Sequence, residues 1–300
     1  MVYDVVVVGG GPAGYTAALY AGRAGLSVLV LEKLSPGGQM ALTDQIENYP
    51  GLPQGIDGFT LGEAMQKGAE QAGAVSLFAE VYEADLAAVP KVLTSSDGTI
   101  RARTVILATG AKPRLLGLAG EQELTGRGVH YCAHCDGYLY RDRSVAVVGG
   151  GNAAVADALQ LSRMAKKVYL IHRRNKLRAE KALTAPLLQR DNVEILYETQ
   201  IKALLRKDRL AGLQLQNGQQ LPVDGLFVSI GRNPETALFS QVARDEQGYI
   251  LADESTETSI PGVFAAGDLR TKPMRQIVTA AADGAIAAQA AEHYLQSTER

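Results

Sequence analysis

Val5-Val6-Val7-Val8-Gly9-Gly10-Gly11-Pro12-Ala13-Gly14 is the stretch that decides the fold: four β-branched residues run directly into a glycine turn. An unbroken run of valines predicts a strand buried on both faces. Tyr15–Ala24 then predicts a helix, and Val28-Leu29-Val30-Leu31 a second strand that ends at Glu32. The three together make a βαβ unit with Gly9-x-Gly11-x-x-Gly14 at its first turn. Such glycines permit the tight turn, the close approach of a pyrophosphate, and close packing of the helix, whose N-terminus supplies positive potential. Glu32 stands eighteen residues beyond Gly14, where a carboxylate can accept from both hydroxyls of a ribose.

The pattern recurs 140 residues later. Ser144–Val148 predicts a strand, Gly149-Gly150-Gly151-Asn152-Ala153-Ala154 the turn, a helix runs to about Met164, and Val168–Ile171 is the next strand. Alanine at the third small position still allows close helix packing. The two copies differ in charge. Eighteen residues beyond Ala154 lies His172, followed by Arg173-Arg174, where the first copy has Glu32-Lys33. A carboxylate repels a 2′-phosphate and arginines bind one bidentately, so the first site suits FAD and the second NADPH. The alternative for the arginines is a solvated basic helix start.

Thr104–Ala111 reads as a buried strand ending in a small-residue turn, and Gly262–Asp268 repeats that pattern near the C-terminus. Asp268, at the end of its strand, is placed to accept from the ribityl chain of a flavin, or else caps the helix expected over 277–295. If both segments complete the first sheet, the second βαβ unit is inserted into the first. The expected architecture is α/β with two Rossmann-like dinucleotide-binding domains. Residues 1–112 and 243–300 form a discontinuous FAD domain, and 113–242 an NADPH domain. Lys112-Pro113 and Gly231-Arg232-Asn233-Pro234 punctuate the chain as hinges.

At 300 residues and 46% hydrophobic, the chain can fill two cores without disulfide or metal. Lys plus Arg number 30 and Asp plus Glu 32, a net charge of −2 that gives no reason to expect nucleic acid or an anionic membrane as partner. No apolar run approaches the ~20 residues of a membrane span. Met1-Val2-Tyr3-Asp4 has no basic leader and Gln296–Arg300 no retention or lipidation signal, which leads to the expectation of a soluble, cytoplasmic protein. The only cysteines are Cys132 and Cys135, spaced Cys-Ala-His-Cys. A staple closing so short a ring adds little stability, and zinc would need two further ligands that the sequence does not pair. A redox-active dithiol and a pair of buried thiols are the readings left.

The combination of Gly9–Gly14, Gly37-Gly38-Gln39, Glu47-Asn48-Tyr49-Pro50-Gly51, Cys132–Gly137, His172-Arg173-Arg174-x-x-x-Arg178, Gly267-Asp268 and Arg275-Gln276-Ile277 resembles the low-molecular-weight thioredoxin reductases, over nearly the whole chain. The resemblance implies a homodimeric flavoprotein that passes electrons from NADPH through FAD and a dithiol to thioredoxin or a thioredoxin-like protein. It implies FAD contacts from Gly9, Gly11, Gly14, Glu32, Gln39, Asn48, Asp268, Arg275, Gln276 and Ile277. NADPH would be held by Gly149, Gly151, Ala154, His172, Arg173, Arg174 and Arg178. Cys132 would attack the partner disulfide, Cys135 face the flavin, and Asp136 act as acid/base, a role His134 could share. Tyr138-Leu139 with Arg127 would dock thioredoxin, unless that pair is core.

Three departures stand out: His134 inside the dithiol motif, Ala156 for an expected glutamate, and Glu235 for an expected asparagine. A histidine at the first position also occurs in the flavoprotein reductase of alkyl hydroperoxide reductase systems. That relative, however, has an added N-terminal domain and an acidic NADH site. A ferredoxin-dependent thioredoxin reductase or a dithiol oxidase would have no need of Arg173, Arg174 and Arg178. With two cysteines only, the same pair must serve flavin and thioredoxin in turn, which implies domain rotation about the hinges.

Overall fold

A computed structural model describes residues 1–43 and 45–298; Glu299 and Arg300, part of the tail read above for targeting signals, lie outside the described residues. The chain divides into two compact units, Met1–Lys112 with Asn233–Arg300, and Pro113–Arg232.

The first unit opens with β1 (Val2–Val8), α1 (Pro12–Arg23) and β2 (Val28–Glu32). Pro12 occupies the first helical turn, where its missing N–H leaves no bond unmade. α2 (Gly58–Gln71) starts at Asp57, whose carboxylate accepts from the Thr60 N–H at 2.9 Å. It leads into β3 (Val75–Phe78), which lies parallel to β2. β4 (Val81–Asp85), β5 (Lys91–Ser95) and β6 (Gly98–Leu107) follow, the last parallel to β1 and antiparallel to β5. β7 (Ala111–Pro113) ends the segment. The valine run behaves as its composition requires: Val5 and Val7 join a core beneath α1, while Val6 and Val8 join a second core on the opposite face.

In the second unit β8 (Val129–His130), the single-turn α3 (Ala133–Asp136), β9 (Ser144–Val148), α4 (Asn152–Leu161), β10 (Lys167–Ile171), α5 (Lys181–Leu188) and β11 (Val193–Leu196) follow in order. An antiparallel sheet of β12 (Ile201–Arg206), β13 (Leu210–Leu215) and β14 (Gln220–Leu221) precedes β15 (Gly225–Val228). The main sheet is fully parallel, in the order β11-β10-β9-β15-β8. Val145 and Val147 face α4, and Ala146 and Val148 face the antiparallel sheet.

β16 (Arg232–Pro234) carries the return crossing, which falls at Arg232/Asn233, inside the expected hinge Gly231–Pro234, and corrects the domain boundary expected at 243. Residues 233–242 pack in the first unit because Phe239 and Val242 enter its core with Leu86, Leu93 and Ile250. β17 (Val263–Ala265) then adds to β6 in parallel, beside the half of β6 that β5 leaves uncovered. α6 (Ile277–Thr298) lays an alanine-rich face on α1. Here a Cβ on Gly284 would fall 2.2 Å from the Ala13 carbonyl oxygen, so only glycine lets the two helices meet. Among the described residues no helix is long and apolar enough to cross a membrane.

Candidate active site

The glycines of the first loop divide by cause. Gly9 has φ +111°, and a Cβ there would lie 2.4 Å from the Ala108 oxygen; one on Gly14 would lie 1.9 Å from the Gly9 oxygen. These two are required by the chain itself. A Cβ on Gly11 meets nothing nearer than the Gly37 oxygen at 4.0 Å, and Gly11 caps α1 with no side-chain hydrogen bond. The open face in front of that helix N-terminus is a cradle of the kind a pyrophosphate fills. Glu32 is fixed beside it, accepting from the Gly10 N–H at 2.7 Å and the Leu34 N–H at 3.0 Å. Each oxygen keeps a further lone pair for a ribose hydroxyl.

The remaining flavin-assigned residues gather in the same unit. The Gly37 N–H donates to the Gly10 oxygen at 2.8 Å, which sets exposed Gln39 next to the loop. Asn48 donates to the Gln276 side-chain oxygen at 3.1 Å across 228 residues of sequence. Ile277 opens α6 against Met40, Ile46 and Leu61. Arg275 donates to the Asp268 carbonyl at 3.3 Å and lies over the Tyr249 ring at 4.2 Å. Asp268 sits three residues past β17, and at the first turn of α6 the Thr279 hydroxyl accepts from the Gln276 N–H at 3.1 Å.

The second loop repeats the division. A Cβ on Gly149 would strike the Ser229 oxygen at 2.4 Å and the Ala154 methyl at 2.5 Å, whereas Gly151 has nothing within 4 Å and again leaves its helix uncapped by a side chain. His172 is buried with its ring under Gly150, and its Nε2–H donates to the Lys176 oxygen at 3.1 Å. Burial, with Arg178, Arg174 and Arg173 adding to it, pushes its pKa down, so the ring is a neutral spacer. Arg173, Arg174 and Arg178 are exposed. They lie in the bend after β10, before α5 begins at Lys181, so the helix-start alternative is not realised. The Arg178 and Ala179 N–H groups both donate to the Gly150 oxygen, at 2.7 and 3.2 Å, which ties this basic loop to the glycine turn.

Cys132 and Cys135 form a disulfide across the start of α3. The Cys135 N–H donates to Cys132 Sγ at 3.1 Å, and the Asp136 N–H to the Cys132 oxygen at the same distance. Asp136 lies 3.1 Å, Oδ2 to Nδ1, from His130, whose Nε2 is 2.6 Å from the Tyr140 hydroxyl. Neither His130 nor Tyr140 stands out in the sequence. The signal was a second histidine two residues before the dithiol, overshadowed by His134 within it. The structure leaves His134 exposed and puts His130, 3% exposed, against Asp136. Leu139 is 47% exposed and Tyr138 half-buried, so the core reading of that pair fails for Leu139. Among the described residues no group of His, Cys, Asp and Glu is arranged to hold a metal.

The sequence profile of the pyridine nucleotide-disulphide oxidoreductases matches residues 3–284. Thioredoxin reductase of Listeria monocytogenes is 43% identical over 302 residues, 98% of this chain and 94% of that one. The Coxiella burnetii thioredoxin reductase is 44% identical over 310 residues, 98% and 97% of the two chains. The crystal structure of thioredoxin reductase from Streptococcus pyogenes superposes with a TM-score of 0.92 at 42% identity, over 99% of both chains. Thioredoxin reductase from Giardia duodenalis gives 0.90 at 36% identity, over 97% of this chain and 98% of the other.

Proposed function

The chain belongs to the pyridine nucleotide-disulphide oxidoreductase family, and from that premise we propose that it is an NADPH-dependent thioredoxin reductase. Its overall reaction would carry electrons from NADPH, by way of FAD, to the Cys132–Cys135 disulfide and on to oxidised thioredoxin or a thioredoxin-like protein. The observation that carries the reading is that disulfide, closed within one helical turn and followed by a carboxylate held in place. Gly9, Gly11, Gly14, Glu32, Gln39, Asn48, Asp268, Arg275, Gln276 and Ile277 would hold FAD. Gly149, Gly151, Ala154, Arg173, Arg174 and Arg178 would hold NADPH, with His172 supporting the loop. FAD, when bound, would supply the passage of two electrons from hydride to disulfide.

The rest belongs to this chain's own groups. In the reduced dithiol the Cys132 thiolate, favoured by the Cys135 N–H aimed at its sulfur, attacks one sulfur of the partner disulfide. The partner's other sulfur leaves as a thiolate, and Asp136 passes it the proton given up by the Cys132 thiol. Cys135 then attacks Cys132 Sγ, the second partner sulfur leaves with the Cys135 proton, and the Cys132–Cys135 bond re-forms. Two electrons and two protons have moved to the partner. The enzyme would work as a cytoplasmic homodimer.

NADPH-driven reduction of thioredoxin, read by a chromogenic disulfide, tests the proposal. Colour that requires both NADPH and thioredoxin is the expected result; NADPH oxidation that leaves no thiols on thioredoxin would overturn it.

A further inference from the structure

We propose that His130 is a positioning residue for the dithiol: through its Nδ1–H it fixes the Asp136 carboxylate beside Cys132 and Cys135. The inference rests on the reading of that pair as the exchanging dithiol, and it adds a residue that no motif of the chain singled out.

His130 is held from every side. It ends β8 opposite Phe227 of β15, and the two rings stack at 5.3 Å with planes 25° apart. The Tyr140 ring meets both edge-on, at 5.3 Å from His130 and 5.5 Å from Phe227. Gly225 makes room for it, since a Cβ there would fall 2.5 Å from the Tyr140 ring. Both ring nitrogens are committed. A carboxylate only accepts, so Nδ1 carries the hydrogen toward Asp136, and in the neutral imidazole Nε2 then accepts the Tyr140 O–H. Burial holds the Tyr140 phenol up at about 12, so the hydroxyl keeps the proton that it donates. The chain Tyr140, His130, Asp136 thus has one direction of donation throughout, which fixes the tautomer and the carboxylate together.

The chemistry asks for this. Asp136 ends a helix of one turn and is one-fifth exposed, a setting in which a free carboxylate would turn toward solvent. A proton donor misplaced by about an ångström loses much of its effect, because the proton must arrive as the S–S bond breaks. The need for a donor depends on the leaving thiol. A basic alkyl thiolate leaves slowly unless protonated, and a thiolate of low pKa leaves without help.

The test uses the prereduced holoenzyme in single turnovers with two probes, 2-hydroxyethyl disulfide and 5,5′-dithiobis(2-nitrobenzoic acid). His130→Phe keeps the stack and deletes both nitrogens. It should slow exchange with the hydroxyethyl disulfide by about tenfold or more, and with the aromatic disulfide by no more than about threefold. His130→Asn, whose amide N–H reaches the Nδ1 position, should recover the alkyl rate to within about threefold. Equal losses on both probes, no loss on either, or an asparagine variant as slow as phenylalanine would overturn the proposal. If His130→Phe does not fold, Tyr140→Phe carries the same two-probe comparison. It removes only the hydroxyl that orients Nε2, and equal rates to the unmodified protein on the alkyl disulfide would count against the chain. Neither probe requires thioredoxin, so a failure of the thioredoxin assignment shows separately, in the unmodified enzyme.

Discussion

Asp283 of α6 accepts a hydrogen bond from the Gly267 N–H at 2.8 Å, so a helix carboxylate holds the turn that delivers Asp268. The same carboxylate accepts from Arg270 at 2.9 and 3.0 Å and from Lys272 at 2.8 Å, all in a buried setting. Burial alone would raise its pKa, but the bonds from Arg270, Lys272 and Gly267 outweigh it and hold the carboxyl below its ordinary value. Asp283→Asn leaves two buried cations uncompensated and should destabilise the first unit by about 3–5 kcal/mol, or roughly 10 °C in Tm. Because the folded pKa is depressed, the stabilisation is full above the unfolded value near ~4 and is lost as pH falls through the folded one. Thermal melts of the two proteins should therefore differ most at neutral pH and converge in acid; a constant difference would refute the assignment.

Gly11 and Gly14 should respond in opposite ways to alanine. Gly14→Ala drives a methyl into the Gly9 carbonyl and should prevent normal folding. Gly11→Ala has room for the methyl and an ordinary backbone conformation, so it should fold, match the Tm of the flavin-stripped unmodified protein, and lose flavin. Released flavin and a melting curve, measured on each variant, separate the two effects. Full flavin content in Gly11→Ala would remove the cradle from the proposed site.

Arg173 and Arg174 should set the choice of reductant. Each charge-assisted bond to a 2′-phosphate is worth about 1.5–3 kcal/mol, so replacing both by alanine should raise the KM for NADPH at least about tenfold. NADH, which has no such phosphate, should be used nearly as before. Steady-state kinetics with both donors give the answer, and equal use of the two by the unmodified protein would sink the assignment.

Cys132 should be the residue that joins thioredoxin. The N–H of Cys135 points at its sulfur, a placement that favours the thiolate. Cys135→Ser should accumulate a mixed disulfide through Cys132, visible as a mass shift on non-reducing gels. A stable adduct formed instead by Cys132→Ser would reverse the two roles.

Asp136→Asn should slow dithiol turnover by roughly 10²-fold while NADPH still reduces the flavin at its usual rate. Stopped-flow traces resolve the two steps. Unchanged turnover would leave Asp136 with a purely structural part beside His130.

Much of the site is written in short-range patterns. Val5–Val8 with Gly9–Gly14 specify strand, turn and helix because β-branching, positive φ and the proline start act between chain neighbours. The same holds for Ser144–Val148 with Gly149–Ala154, and the contrast of Glu32 with Arg173-Arg174 needs only a count along the chain. The glycine and proline of Gly231–Pro234 marked the return crossing, but the membership of residues 233–242 was less legible, because Phe239 and Val242 are apolar residues that either unit could bury, and only packing against Leu86 and Ile250 assigns them.

The valine runs, the two glycine loops, the charge that follows each and the paired cysteines were determined by the sequence alone, since each depends on residue type at fixed local spacing. The tertiary structure decided which histidine serves Asp136. His130 and Phe227 are 97 residues apart and meet only when β8 and β15 pair in their register; Tyr140 joins them because Gly225 is bare. It likewise decided that Asp283 would hold Gly267, since that bond forms only after α6 has packed into its core. Burial and long-range register create these contacts, and neither is a property of any short stretch of chain.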